Sequence, residues 1–303
     1  MKHWVLLFLA PAPLQMAGQG TPKALLWRIG MEGSPRCSYL FGTVHSTDDR
    51  AFRFGDSVSV AAGGVDIVAG ELDLADMDEE AGTMLDMMLM PDGKRLEDLY
   101  RRKDWRVVEA ALKEKLGFQS TFVMRIKPFF VIAMLTGNAT SSHHTETLDD
   151  ELMGRARDNG QRVIGLETLA EQMRAMDVLT LEQQAAMLLD HIQNGDPGDG
   201  MDDLLDAYAE NDLDRLMTVS LSQDALPEEM ERSLLIDRNA RMVHRMDSIM
   251  QGGETAFFAV GAAHLPRPTG IIARLKEKGY AVDPVFSPYR KPEERGPQSE
   301  DKH

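Results

Sequence analysis

The stretch TAFFAVG, residues 255–261, constrains the fold more than any other part of the chain. Its apolar residues fall on both parities of a strand, with no polar alternation between them. A strand of that kind must be covered on both faces, which is the condition of a central strand in an α/β sheet. The run ends at Gly261 and continues Ala-Ala-His264. The same arrangement occurs near the other end of the chain, where SYLFGTVHS (38–46) runs an apolar segment into Gly42 and, three residues on, His45. Two distant strands therefore each deliver a histidine just beyond their carboxyl ends.

Periodicity and turn residues predict how these strands are set. ALLWRIG (24–30) and CSYLFG (37–42), separated by the turn residues of MEGSPR, read as a β-hairpin. VDIVAGELDL (65–74) reads as a buried strand ending at Gly70 and Glu71, QRVIGLE (161–167) as another, and YAVDPVF as the last. Helical patterns fill the middle. A Met-, Leu- and Asp-rich region breaks at Pro91–Gly93, DWRVVEAALKEKLG is amphipathic and stopped by Gly117, and an apolar helix starts at Pro128. DDELMGRARDNG follows, then a helix opened by the Thr180/Gln183 capping box. NGDPGDG (194–200) reads as a loop, and Pro227 takes the first helical position of a longer helix running to Met250 and stopping at Gly252–Gly253. TGIIARLKEKG is a helix before the last strand. The expected fold is a single α/β domain over residues 22–287. Its mixed central sheet is built from N- and C-terminal strands, flanked by helices, with a largely helical middle insertion. Open α/β sheets place ligands beyond the carboxyl ends of their strands.

The 303 residues are enough to bury a sizeable core, and the formal net charge of −16 argues against nucleic acid or an anionic membrane surface as a general partner. The single cysteine, Cys37, allows no disulfide within this chain and no thiolate metal cluster. Lys2, the apolar WVLLFLA and the small residues and prolines of APAPLQMAGQG predict a signal peptide over residues 1–18, hence an exported protein, periplasmic or secreted. That apolar run falls short of the about 20 residues a spanning helix needs, so no stable membrane span is expected. The polar residues 288–303 are expected to form a disordered tail.

Four chemically capable residues lie just past buried strands, each with a glycine shortly before it: His45, Glu71, Glu167 and His264. Glycine there lets the backbone turn sharply or approach a ligand closely. A lone histidine after a strand is usually a core or turn residue; two in matched contexts point further. Two imidazoles with one or both carboxylates form a ligand set suited to Mn2+, Co2+, Fe2+ or Zn2+, and three protein ligands leave positions open for substrate chemistry. Arg238, in LLIDRNARMVHRM, falls within or beside the apolar stripe of its helix. It must pair with an anion or carry its head past the core edge, and with Asn239 beside it could orient a site carboxylate or an oxyanion. His143, His144, His191 and His244 read as surface residues. The methionines of TMLDMMLM read as a flexible core or a groove for apolar peptide side chains. No H-E-x-x-H, G-x-S-x-G, Walker A or G-x-G-x-x-G motif is present, which argues against zincins, serine α/β-hydrolases, P-loop NTPases and Rossmann dehydrogenases.

YLFGTVHS, GELDL, VIGLETLAEQ, DRNARM and FFAVGAAHLPRPTGIIARLKEKGYAV, in this order, resemble the TraB/GumN family, which includes bacterial pheromone-shutdown proteins and is similar to the animal TIKI proteins. The likeness runs from about Leu25 to Val285. It implies a fold similar to erythromycin esterase and the ChaN-like proteins and, from the TIKI branch, a metal-dependent peptidase. His45 and His264 match the two G-x-x-H histidines, Glu71 the glutamate after the second strand block, Arg238 and Asn239 the R-N pair, and Glu167 and Gln172 the G-L-E-T…Q block. Asp237 stands where Glu is usual, and Arg267 and Pro268 stand where glycine is usual after H-L-P, which bears on substrate preference. The resemblance thus implies a hydrolase acting on peptide or protein substrates through a metal-activated water. His45, Glu71 and His264 would be ligands of a divalent metal ion (Mn, Co or Zn), with Glu167, Arg238 and Asn239 as catalytic residues and Glu167 as general base or additional ligand. The alternative is a non-catalytic protein of the same fold that sequesters a peptide or other ligand; a weaker one, by analogy with the ChaN-like fold, is haem or iron binding through the histidines.

Overall fold

The computed structural model describes residues 20–30, 33, 35–73, 77–137, 144–195, 197–222, 227–286 and 289. The segment read as a signal peptide lies outside them, as does the tail from residue 288 apart from Tyr289.

The strands β1 (Leu26–Gly30), β2 (Cys37–Thr43), β3 (Ile67–Gly70), β4 (Arg162–Gly165), β5 (Ala256–Gly261) and β6 (Ala281–Val285) form one mixed sheet in the order β4-β3-β5-β2-β1-β6. β1 and β2 make the expected antiparallel hairpin, and β6 pairs antiparallel with β1. β4, β3, β5 and β2 run parallel. β5 sits between β3 and β2 with Ala256 to Val260 all buried, so the apolar residues of both parities are covered, as their pattern requires.

The helices are α1 (Asp56–Gly63), α2 (Met77–Met88), α3 (Arg102–Leu116), α4 (Pro128–Gly137), α5 (Leu148–Asp158), α6 (Leu169–Met176), α7 (Leu181–Asn194), α8 (Pro197–Ala209), α9 (Leu213–Ser222), α10 (Glu228–Glu231), α11 (Asp237–Gln251) and α12 (Ile271–Glu277). One core lies on the sheet, around Leu40, Phe41, Phe257 and Phe258. A second lies inside the helical insertion, where Leu96, Val108, Leu112, Val131 and Leu188 meet Leu169 and Met173 of α6. Helices α5, α6 and α7 each start with a capping box, Thr147/Asp150, Thr168/Glu171 and Thr180/Gln183, which satisfies amides that have no partner within the helix. Among the described residues no helix is long and apolar enough to cross a membrane.

Three local expectations change. The loop expected over 194–200 is shorter, because α7 ends at Asn194 and α8 already begins at Pro197. Proline costs nothing in a first turn, where its missing N–H would have had no partner. Pro227 caps α10 rather than opening it, and a π-helical turn over Arg232–Ile236 joins α10 to α11. The wider turn breaks the 3.6-residue count upstream of Arg238. Lastly, His144 is not a free surface residue: its ring stacks on Phe52 at 3.6 Å and 9°. His191 is half-buried, His244 is exposed, and His143 lies outside the described residues.

The four parallel strands point their carboxyl ends to one edge. Gly70 stands level with Gly165, and Thr43 with Gly261. That register delivers Glu71, Glu167, His45 and His264 to the same side of the sheet.

Candidate functional site

The site is built on two carboxylates forced together. The amide of Leu166 donates to the Gly70 carbonyl (2.8 Å) and that of Glu167 to the Glu71 carbonyl (2.7 Å), so β3 and β4 stay paired past their ends. Gly165 makes this path possible: a Cβ there would stand 2.8 Å from the Asp73 amide nitrogen and 2.9 Å from the Glu167 carbonyl oxygen. Side by side, two carboxylates repel unless a cation lies between them. Arg238 is that cation. Its Nε donates to Glu167 Oε2 at 2.8 Å and its Nη2 to Glu71 Oε2 at 2.5 Å. The Glu167 side chain is 0% exposed, and Arg241 Nη2 holds its other oxygen at 3.2 Å. One turn further, Arg245 forks onto Glu171 at 2.7 and 2.8 Å. Helix α11 thus lays Arg238, Arg241 and Arg245 along one face against Glu71, Glu167 and Glu171. Of the two fates open to Arg238, pairing is the one realised.

Behind Glu71 stands His264, buried, its Nδ1 2.6 Å from Asn239 Oδ1. Asn239 Nδ2 donates to the Thr269 carbonyl at 3.0 Å, which settles the orientation of the amide and makes Oδ1 the acceptor. The proton of His264 therefore sits on Nδ1, and in the neutral ring Nε2 carries a lone pair. Nε2 faces Glu71 Oε1 at 3.7 Å. Burial lowers the imidazole pKa; Glu71 opposes this and Arg238 adds to it, so the neutral ring is favoured. Burial alone would push the Glu71 carboxyl up, but Arg238 and the Gly261 amide, which donates to Oε1 at 2.7 Å, hold it below the usual range. Two acceptors, a lone pair and a carboxylate oxygen, are left facing each other.

His45 lies on the solvent side. Its side chain is 72% exposed, and its Nδ1 is 3.8 Å from Asp149 Oδ2, a charge contact and not a hydrogen bond. Asp149 raises the imidazole pKa against the effect of partial burial. The other Asp149 oxygen accepts from Thr43 Oγ1 at 2.7 Å, while Oδ2 is buried without a hydrogen-bond partner.

These groups surround a pocket of about 320 Å3 between the sheet edge and helices α2, α5 and α6. Thr43, His45, Glu71, Asp149 and Gln172 line its polar side; Met84, Met153, Leu169 and Met173 line the apolar side. Gln172 Nε2 donates to Glu71 Oε2 at 3.2 Å. Glu167, Arg238, Asn239 and His264 stand behind this lining. The structure therefore joins Glu71, Glu167, Arg238, Asn239 and His264 in one network and sets His45 apart from it, beside Asp149. The sequence reading had missed Asp149, Thr43 and Arg241. The available signal for Asp149 was a surplus: two aspartates follow the Thr147 cap, and Asp150 alone makes the capping box.

Whether a metal ion suits these residues turns on the facing acceptors. Among the described residues no three His, Cys, Asp or Glu side chains stand close enough together to hold an ion. The pair His264 Nε2 and Glu71 Oε1 does suit one, because metal bonds of about 2.0–2.2 Å from each side are long enough to share an ion across such a gap. An imidazole whose other nitrogen is held by an amide oxygen is also the usual form of a metal-binding histidine.

The model of the TraB/PrgY/gumN family matches residues 25–284. The chain belongs to the TraB/PrgY/gumN family. No curated protein and no solved structure matches it. The span matched to the TraB/PrgY/gumN family contains all six strands but the last residue of β6, the helical insertion and every residue of the network above.

Proposed function

We propose that this TraB/PrgY/gumN protein is a metal-dependent hydrolase that cleaves peptide bonds in peptide or protein substrates, acting in the periplasm or outside the cell. The facing pair of His264 Nε2 and Glu71 Oε1, at 3.7 Å, carries this reading. A bare lone pair beside an ionised carboxylate needs a cation or a donor between them. His264 and Glu71 would hold Mn2+, Co2+ or Zn2+, and His45, which stands apart from them beside Asp149, would join only after its exposed ring turns inwards. Such an ion polarises a carbonyl and makes water a nucleophile at neutral pH.

The chain's own residues prepare that chemistry. Asn239 holds the His264 ring in one tautomer and one orientation. Arg238 and Gln172 hold Glu71 Oε2, leaving Oε1 towards His264. Glu167 is closed off from the pocket and acts by holding Arg238 in place. The wall of Met84, Met153 and Met173 would receive an apolar side chain next to the scissile bond, since the unbranched thioether adapts to varied shapes.

The test is elemental mass spectrometry of purified protein after loading with Mn2+, Co2+ or Zn2+, beside His45→Ala and His264→Ala, followed by cleavage of a peptide library. About one ion per chain, reduced in both variants while circular dichroism is unchanged, together with metal-stimulated cleavage, is expected. No ion under any loading condition, with peptide binding that survives a chelator, would replace the hydrolase with a sequestering protein.

A further inference from the structure

We infer that Asp149 is the positioning residue of His45, doing for that ring what Asn239 does for His264. Each histidine turns its Nδ1 to an oxygen on a helix distant in sequence: His264 to Asn239 of α11 at 2.6 Å, His45 to Asp149 of α5 at 3.8 Å. Asp149 is held in place from the other side. Thr43 donates to its Oδ1 at 2.7 Å, and Thr43 lies two residues before His45 on the same strand end. The carboxylate is thus tied to the segment that carries the ring. Its Oδ2 is buried without a hydrogen bond, and a buried acceptor left in that state is costly. Helix capping does not claim it, because Asp150 binds the Thr147 amide and hydroxyl. A small turn of the exposed His45 ring brings Nδ1–H onto Oδ2 and leaves Nε2 for the pocket.

For the ion, this inference rests on the metal reading proposed above; for the ring, it rests on geometry alone. Partners of this kind orient metal-binding imidazoles, and their loss lowers metal affinity about 10–100-fold. The experiment compares wild type, Asp149→Ala, Asp149→Asn and Thr43→Val as full chains. It measures the Co2+ dissociation constant by titration calorimetry, and the 15N shifts of the His45 ring in metal-free protein at pH about 9, above the imidazole range. Asp149→Ala should weaken Co2+ binding about 10–100-fold and release the Nδ1–H tautomer. Asp149→Asn keeps an acceptor, as Asn239 does, and should keep both the tautomer and affinity within about threefold. Thr43→Val should shift both readouts towards Asp149→Ala by less, and it substitutes for that variant if the alanine protein does not fold. An alanine variant equal to wild type overturns the inference. So does an asparagine variant as damaged as alanine, which would make the charge itself the contribution. If wild type binds no Co2+, the hydrolase reading fails and the ring decides alone: an Nδ1–H tautomer lost in Asp149→Ala upholds the inference, and an unchanged one overturns it.

Discussion

Removing Arg238 tests whether one guanidinium holds the two carboxylates together. In Arg238→Ala, Glu71 and Glu167 lose donors at 2.5 and 2.8 Å, and among the described residues the buried Glu167 keeps Arg241 at 3.2 Å as its side-chain donor. Charge-assisted hydrogen bonds contribute about 1.5–3 kcal/mol each, and deleting one partner of a buried ion pair costs about 3–5 kcal/mol. The residual grip of Arg241 keeps the loss inside that second range. For a domain of this size each kcal/mol moves the melting temperature by about 2–4 °C, so a fall of roughly 6–20 °C is expected by circular dichroism at neutral pH. Arg238→Lys keeps the charge but not the planar fork, and should fall between wild type and alanine. The triple variant Glu71→Gln, Glu167→Gln, Arg238→Met removes both charges with their partner and should recover much of the loss, because the penalty lies in the uncompensated carboxylates. An Arg238→Ala protein melting within about 2 °C of wild type would refute the reasoning: the carboxylates would then be held by something other than this bridge.

Three further outcomes follow from particular contacts. Arg245, forked onto Glu171, holds that carboxyl down to about 2 against the effect of burial. Its folded pKa lies below the unfolded value of about 4.3, so its stabilisation is full above that value and is lost as pH falls towards about 2. Chemical denaturation should therefore show a gap between wild type and Glu171→Gln at pH about 6 that closes near pH about 2; a constant gap would count against the ion pair. Gly165→Ala forces a Cβ to 2.8 Å from a backbone nitrogen and should cost about 1–3 kcal/mol, whereas Gly30→Ala, whose Cβ would have its nearest neighbour at 3.9 Å, should stay within about 1 kcal/mol of wild type in the same denaturation series. Arg267 has φ 75°, a left-handed conformation costing a side-chain-bearing residue about 1–2 kcal/mol, so Arg267→Gly should melt above Arg267→Ala, the reverse of the usual order. Both variants lose the same partly exposed ion pair with Glu231, so it cancels from the comparison.

Much of the scaffold was legible because its signals are local. Apolar runs closed by glycine located the strands, and the Thr180-x-x-Gln183 pattern located one helix start; Thr147-x-x-Asp150 and Thr168-x-x-Glu171 carry the same signal, which the reading of the sequence did not use. Parallel pairing then brought the four expected residues to one edge. Arg267, singled out in the sequence after H-L-P, takes a positive φ, a conformation that glycine adopts without steric cost. The features that escaped are those in which a tertiary contact chooses among equal local options. A π-turn has no distinct composition, so the helix before Arg238 was counted at 3.6 residues per turn. Asp149 and Asp150 look alike in sequence, yet one caps a helix and the other reaches Thr43 and His45.

The two G-x-x-H motifs differ most at the residues between glycine and histidine. Ala262 and Ala263 follow Gly261; alanine favours helical turns, and the chain curls at once into a 3-10 turn that tucks His264 under α11. Thr43 and Val44 follow Gly42; both are β-branched and favour extended backbone, and the chain runs on towards solvent with His45 exposed. One motif thus yields a buried imidazole locked by an amide, its pKa lowered by burial, and an exposed imidazole faced by a carboxylate that raises its pKa. Exchanging the pairs, Ala262-Ala263 for Thr-Val and Thr43-Val44 for Ala-Ala, would set that difference against the surrounding fold. It would also remove the Thr43 hydroxyl that fixes Asp149, so the His45 side should lose its order first.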